Sequence, residues 1–274
     1  MNTLETLLSK IEIAKDLDFG DIFSKSIDLF KKVWLQGLVT LLLTFAMMIP
    51  FYIVMYAPLI ALGVLDPESM QEGGEVNMAL LIPFYLVMIV FMFFAMIIGF
   101  GLKSAFYRIC KAKDLNEISS DDYFYFFKKP YLRKTIKLAA ITFGISLVAV
   151  LLCVIPIIYV MVPIALINVI YALNPDMSTS DIVKVGFKLG NKKWLITFGL
   201  MFVAGLLAQV VGMIMCFIGV FVTASFAYIP LYFIYKIVSA INLAKELSNE
   251  FDAICLAGGS TVPRDLPIRG RELD

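Results

Sequence analysis

Four stretches of this 274-residue chain run for more than 20 residues without Asp, Glu, Lys or Arg: Val33–Leu65, Val76–Leu102, Leu138–Pro175 and Trp194–Tyr235. A helix rises about 1.5 Å per residue, so about 20 residues cross the hydrocarbon of a bilayer. Val76–Leu102 fits one crossing. Val33–Leu65 is longer, with Pro50 and Pro58 offering kinks. The other two runs, 38 and 42 residues long, would make single helices of about 57 and 63 Å, twice the hydrocarbon thickness. Each reads more economically as two short helices joined by a tight turn. Pro156 and Pro163 break the first, and Gly212 and Gly219 loosen the second. The expected fold is an all-α integral membrane protein of about six transmembrane helices, with spans near 33–56, 78–102, 136–155, 157–174, 194–215 and 219–241. The turns near Pro156 and Gly219 are so apolar that full crossing by these hairpins is left open.

Composition agrees. Hydrophobic residues make up 61% and charged residues 16%, and a soluble domain of this size cannot hide so much apolar surface. The charges are also sorted. With the amino terminus inside, the cytoplasmic segments 1–32, 103–137, 176–193 and 236–274 hold 5, 9, 4 and 5 basic residues, all 23 in the chain. The longest external loop, around Gly63–Asn77, carries Asp66, Glu68, Glu72 and Glu75 and no basic residue. That asymmetry is the positive-inside pattern of a cytoplasmic (inner) membrane protein with both termini cytoplasmic. The first 32 residues mix acidic and basic side chains and lack a continuous apolar region, so the first span is expected to be its own targeting signal. A polar tail, 242–274, is expected beyond the last span.

The same inventory narrows the chemistry. There is no histidine, and net charge is +1, so the commonest metal ligand and proton shuttle is missing and no basic field recommends nucleic acid. Cys110, Cys153, Cys216 and Cys255 are too far apart for a ligand or redox pair. No nucleophile elbow, phosphate loop or dinucleotide fingerprint occurs. No cofactor and no catalytic or metal site is expected.

One unit recurs. DIFSKSIDLFKKVWL at 21–35 and DIVKVGFKLGNKKWL at 181–195 share Asp, Ile, Leu, Lys, Trp and Leu at a constant offset of 160, and contain the only two tryptophans. In each, apolar residues recur at helical spacing beside lysines, which predicts amphipathic interfacial helices ahead of a membrane entry. Ser178, Thr179 or Ser180 would cap the second. A weaker third copy, from Asp121 onward, would complete three interfacial-helix-plus-hairpin units. At the boundaries Lys31, Lys32, Trp34, Lys192, Lys193 and Trp194, with Lys128, Lys129, Arg133 and Lys134 of the basic 103–137 segment, are expected to anchor the chain to an anionic leaflet.

These features, from the K-K-W-L entry through the proline-containing apolar runs, resemble an uncharacterised family of bacterial six-span membrane proteins. The likeness covers about residues 19–241 and is similar to the membrane domain attached to some glycerophosphodiester phosphodiesterases. It implies a membrane module without the enzyme, because that chemistry sits in a separate soluble barrel for which this chain has no room.

Within the spans Asn168 and Gln209 are the deepest amides. They are expected either to bond between helices or to line a polar cleft. Ala204, Ala208 and Gly212 form a small-residue ladder for close packing, within the bundle or at a homodimer seam. Together these readings favour a non-enzymatic scaffold or accessory module that interacts with lipids or membrane partners. A transporter or flippase-like protein for an amphiphilic substrate is the alternative, favoured by a cavity at Asn168 and Gln209. A membrane-embedded enzyme is third.

Overall fold

The computed structural model describes residues 3–61, 78–117, 120–152, 154–215 and 218–241. The acidic segment 63–77, Cys153, Cys216, Cys255 and the polar tail lie outside the described residues. The elements are α1 (Leu4–Ile13), α2 (Phe19–Ala61), α3 (Met78–Asp114), a 3-10 turn (Tyr125–Phe127), α4 (Leu132–Leu151), α5 (Val154–Leu173), α6 (Thr179–Lys192), α7 (Trp194–Ile214), α8 (Ile218–Thr223), a second 3-10 turn (Ala224–Tyr228) and α9 (Ile229–Ser239). Six of the resulting helical segments are long and apolar enough to cross a membrane. This is an all-α, multi-pass membrane protein. The last segment is not one helix but α8, the 3-10 turn and α9 in succession.

Buried positions form a stripe along each long helix, and that stripe thins toward one end. Ile22, Leu29 and Val33 of α2 are buried, whereas Phe45, Ile49, Ile53 and Val54 further along are exposed. In α3, Leu102, Phe106, Tyr107 and Cys110 are buried and Tyr85, Leu86 and Val90 are exposed. Large aliphatic surface of this extent suits hydrocarbon, not water. The buried ends form one core with the apolar residues of α1, α5, α6 and α9, among them Leu7, Ile11, Ile167, Ile182, Leu189 and Ile234. Polar ends stop the elements there. Ser178 Oγ accepts from Asp181 N at 3.2 Å to cap α6, one of the three caps expected. Asn116, at φ 53°, takes the left-handed residue that ends α3, and Glu117 N reaches back to Ala112 O at 2.8 Å.

The second amphipathic helix departs from expectation. Instead of resting its apolar stripe in the interface, α6 folds back antiparallel along α5. Ile182, Val185 and Leu189 are fully buried. Two glycines permit the approach: a Cβ on Gly190 would lie 3.0 Å from Pro163 Cα, and one on Gly186 would meet Ile167. Their i, i+4 spacing is the small-residue signal for such contact, and it was available in the sequence.

The first amphipathic stretch is not a separate helix either, for α2 runs through Trp34 without a break. In the second copy Lys193, at φ −116° and ψ 29°, separates α6 from α7. Even so, equivalent positions are buried in both: Ile22 and Ile182, Ser26 and Gly186, Leu29 and Leu189, Val33 and Lys193, Gly37 and Thr197, Thr40 and Leu200. The third stretch forms only the short Tyr125–Phe127 turn, not an amphipathic helix. Its aromatic residues are structural. Phe126 is fully buried against Tyr171, ring centroids 4.7 Å apart, and the Arg108 guanidinium lies 3.6 Å over the Tyr125 ring.

α1 is tied to α6 by charge. Lys188 Nζ donates to Glu12 Oε1 at 2.9 Å, and Lys192 donates to the Glu12 carbonyl. The Lys188 hydrogen bond and charge hold the Glu12 carboxyl below its ordinary 4.5. A depressed carboxyl stabilises the docked state above that ordinary value and stops doing so as pH falls through the depressed one. Protection factors of the α1 amides, corrected for the intrinsic exchange rate, are therefore expected to fall on acidification below pH 4.5. Glu12→Gln should remove most of that pH response, and an unchanged response would contradict the assignment.

Candidate functional site

A cavity of about 660 Å³ opens between α3, α4, α5 and α7 and reaches the start of α9. Most of its wall is aliphatic or thioether: Met92, Met96, Val150, Ile157, Val160 and Met161 are typical. Gly99 contributes space, because a Cβ there would find nothing within 4 Å. The polar wall atoms come from Lys103, Tyr107, Ser146, Asn168 and Tyr228, and no carboxylate lines the cavity. From Met92 to Lys103 along α3 is 11 residues, a depth of about 16 Å.

Asn168 ties two of the cavity's helices together. Its Nδ2 donates 3.0 Å to the Phe100 carbonyl, joining α5 to α3. Its Oδ1 is buried with no donor in reach. An unsatisfied buried acceptor typically costs about 1–3 kcal/mol. Asn168 thus fulfils both expectations, an interhelical bond and a cavity wall. Gln209 fulfils neither: it is exposed on α7 and outside the cavity. On a helix its neighbour Ala208 takes the packed side, and Gln209 is turned about 100° away.

A second, smaller cavity of about 90 Å³ lies on the other side of α3. Thr40, Thr44 and Ser225 supply hydroxyls, and Gly99 and Lys103 line both spaces. Lys103 Nζ stands 4.4 Å from the Tyr228 ring centroid. Sequence reasoning passed over Lys103 because it falls one residue beyond an uncharged run and looked like a span boundary. The signal was the pair Gly99 and Gly101 just ahead of it, which marks a stretch of α3 with little side-chain bulk.

The expected anchoring residues divide. Trp34, Lys129 and Arg133 are exposed. Lys31 and Lys128 are exposed too, in ion pairs with Asp28 at 2.9 Å and Asp122 at 2.6 Å. Lys32 donates to Asn116 Oδ1 at 3.5 Å, the outer edge of a hydrogen bond. The rest are committed to protein. Lys134 donates to Pro175 O at 2.5 Å, and Trp194 Nε1 to Tyr159 O at 3.1 Å while stacking on Phe198. Lys192 donates to the Glu12 carbonyl. Lys193 is 6% exposed and donates to Lys15 O at 2.7 Å and Asp16 Oδ1 at 3.3 Å. Its ammonium clips the α1–α2 connection to the α6–α7 junction rather than reaching a headgroup. Lys193→Gln is expected to cost about 1.5–3 kcal/mol, the range for hydrogen bonds to a charged donor. Arg133→Gln should stay within about 0.5 kcal/mol, as surface changes do. Thermal melts of the two variants in one detergent check the contrast, and equal melting temperatures would contradict it.

Ala204, Ala208 and Gly212 are all buried on one face of α7. That face is filled from within the chain. Thr223 Oγ donates to Ala208 O at 2.7 Å, and a Cβ on Gly212 would lie 2.6 Å from the Val220 backbone. The homodimer seam is therefore not on this ladder. No protein-family model matches the chain, and no curated protein or solved structure matches it.

Proposed function

We propose that this protein is a non-enzymatic accessory module of the cytoplasmic (inner) membrane, with both termini cytoplasmic, that holds an amphiphilic, lipid-class molecule in the α3–α4–α5–α7 cavity. The cavity carries the reading: about 660 Å³ with mostly apolar walls, and a few polar residues that include Lys103, Ser146 and Asn168. Concave, mostly apolar spaces with a few placed polar groups are the usual form of a small-ligand site. Sorting of all 23 basic residues to one side supports the orientation. Exposed Trp34, Lys129 and Arg133 support contact with an anionic leaflet. The matched burial at offset 160 supports descent from a duplicated unit, and kinship with the membrane domain of glycerophosphodiester phosphodiesterases is proposed alongside it. Carrying the molecule across the membrane is the second reading. A polar route through Asn168 and Gln209 would favour it, and the outward position of Gln209 favours holding over carrying.

A lipid with a photoactivatable diazirine in its acyl chain tests the proposal in native membranes. Adducts are expected on peptides containing 92–99 of α3 and 160–165 of α5. Adducts confined to the exposed faces of α2 and α7 would contradict it.

A further inference from the structure

We infer that the occupant of the cavity is an anionic amphiphile whose acidic head group is bound by Lys103; this rests on the reading that the cavity holds a lipid-class molecule. Lys103 is half-buried and is the one cation in the cavity wall. No carboxylate of the described residues stands within ion-pairing distance of it, and its ammonium makes no hydrogen bond to them. The contrast with its neighbours is specific. Lys113 pairs with Asp121 at 3.6 Å, and Lys236 pairs with Asp114. A half-buried ammonium without a counterion still carries three donors to satisfy. The Tyr228 ring, 4.4 Å away, steadies the charge from one side but accepts no conventional hydrogen bond from it.

The surroundings select the sign and shape of a ligand. Among the described residues nothing anionic lines either cavity that Lys103 touches, so an acid entering the site meets no like charge from them. Lys103 also ends the uncharged run of α3. An acyl chain directed along Gly99, Met96 and Met92 would therefore leave its head at the ammonium. Ser146, also in the wall, adds a polar contact for the atoms linking head and chain. A carboxylate of a free fatty acid and a phosphate of a phospholipid share this chemistry.

Delipidated full-length protein in an uncharged detergent, titrated by native mass spectrometry, separates the cases. The probes are oleate, dioleoylphosphatidylglycerol and uncharged dioleoylglycerol. Wild type is expected to bind at least one anion about tenfold more tightly than dioleoylglycerol, as a charge-assisted contact allows. The anion preferred identifies the carboxylate or the phosphate as the natural head. Lys103→Gln should bring anion and dioleoylglycerol to within about twofold of each other, and Lys103→Arg should keep the preference. Equal binding of all three by wild type, or an undiminished preference in Lys103→Gln, overturns the head-group assignment alone. Failure of all three to bind overturns the lipid-holding reading and this inference together.

Discussion

Gly212→Leu is expected to abolish the folded protein or to cost well over 3 kcal/mol, beyond the common range for overpacking. The reason is the nature of the neighbour. A Cβ at 212 would lie 2.6 Å from both Val220 N and Val220 Cα, and backbone atoms cannot swing aside as a side chain can. Gly219 is pressed into the same junction, its own Cβ position 2.9 Å from Gly212 O. The junction also carries the Thr223 bond to Ala208 O at 2.7 Å. Opening it therefore breaks a hydrogen bond and the register of α7 against α8. Gly205 sits one heptad earlier on the same helix, yet a Cβ there meets nothing within 4 Å. Gly205→Leu should leave the melting temperature in detergent nearly unchanged. Gel-filtration homogeneity and thermal melts of the pair measure the difference, and similar behaviour of both variants would contradict the packing described.

The second large effect is on binding rather than folding. Gly99→Trp is expected to empty the cavity of its occupant while leaving the stability of the lipid-free protein within about 1 kcal/mol of wild type, since added bulk enters space rather than a packed core. Gly99 borders both the 660 Å³ and the 90 Å³ cavity, with no atom within 4 Å of a Cβ. Stabilisation by a ligand that binds only the folded state scales with its occupancy, about 2.7 kcal/mol at a hundred times the dissociation constant. Wild type should therefore melt higher on lipid addition and Gly99→Trp should not. A shift of equal size in both would place the lipid elsewhere.

Much of the architecture was readable before any coordinates, and the reason is physical. Uncharged runs of fixed minimum length are forced by the bilayer, so the two helix pairs followed from counting; their bounds did not, for Pro156 and Pro163 lie inside α5 and Gly219 inside α8. Helical spacing likewise picked out Ile22 and Leu29, and Ile182 and Leu189, as faces that would be covered. Periodicity does not say by what. Whether α6 laid its stripe on lipid or on α5 depended on Gly186 and Gly190 meeting Pro163 and Ile167, a contact between distant segments. Lys193 escaped for the same reason: a lysine beside a tryptophan is the usual membrane boundary, and only the path of residues 14–18 turned its ammonium inward. Asn168 was found because an amide in a span has few comfortable places, but the same logic misplaced Gln209, one residue off the packed face. Lys103 was hidden by position, since a charge at the end of an apolar run looks like the end of the membrane.

The central claim is that the cavity holds one amphiphilic molecule. Native mass spectrometry of wild type and Gly99→Trp, released from membranes without a delipidation step, tests it most directly. The account predicts one retained lipid-class adduct per wild-type chain, surviving activation that strips detergent, and its loss from Gly99→Trp. A wild-type chain that flies bare, or an adduct equally retained by the filled variant, would contradict it.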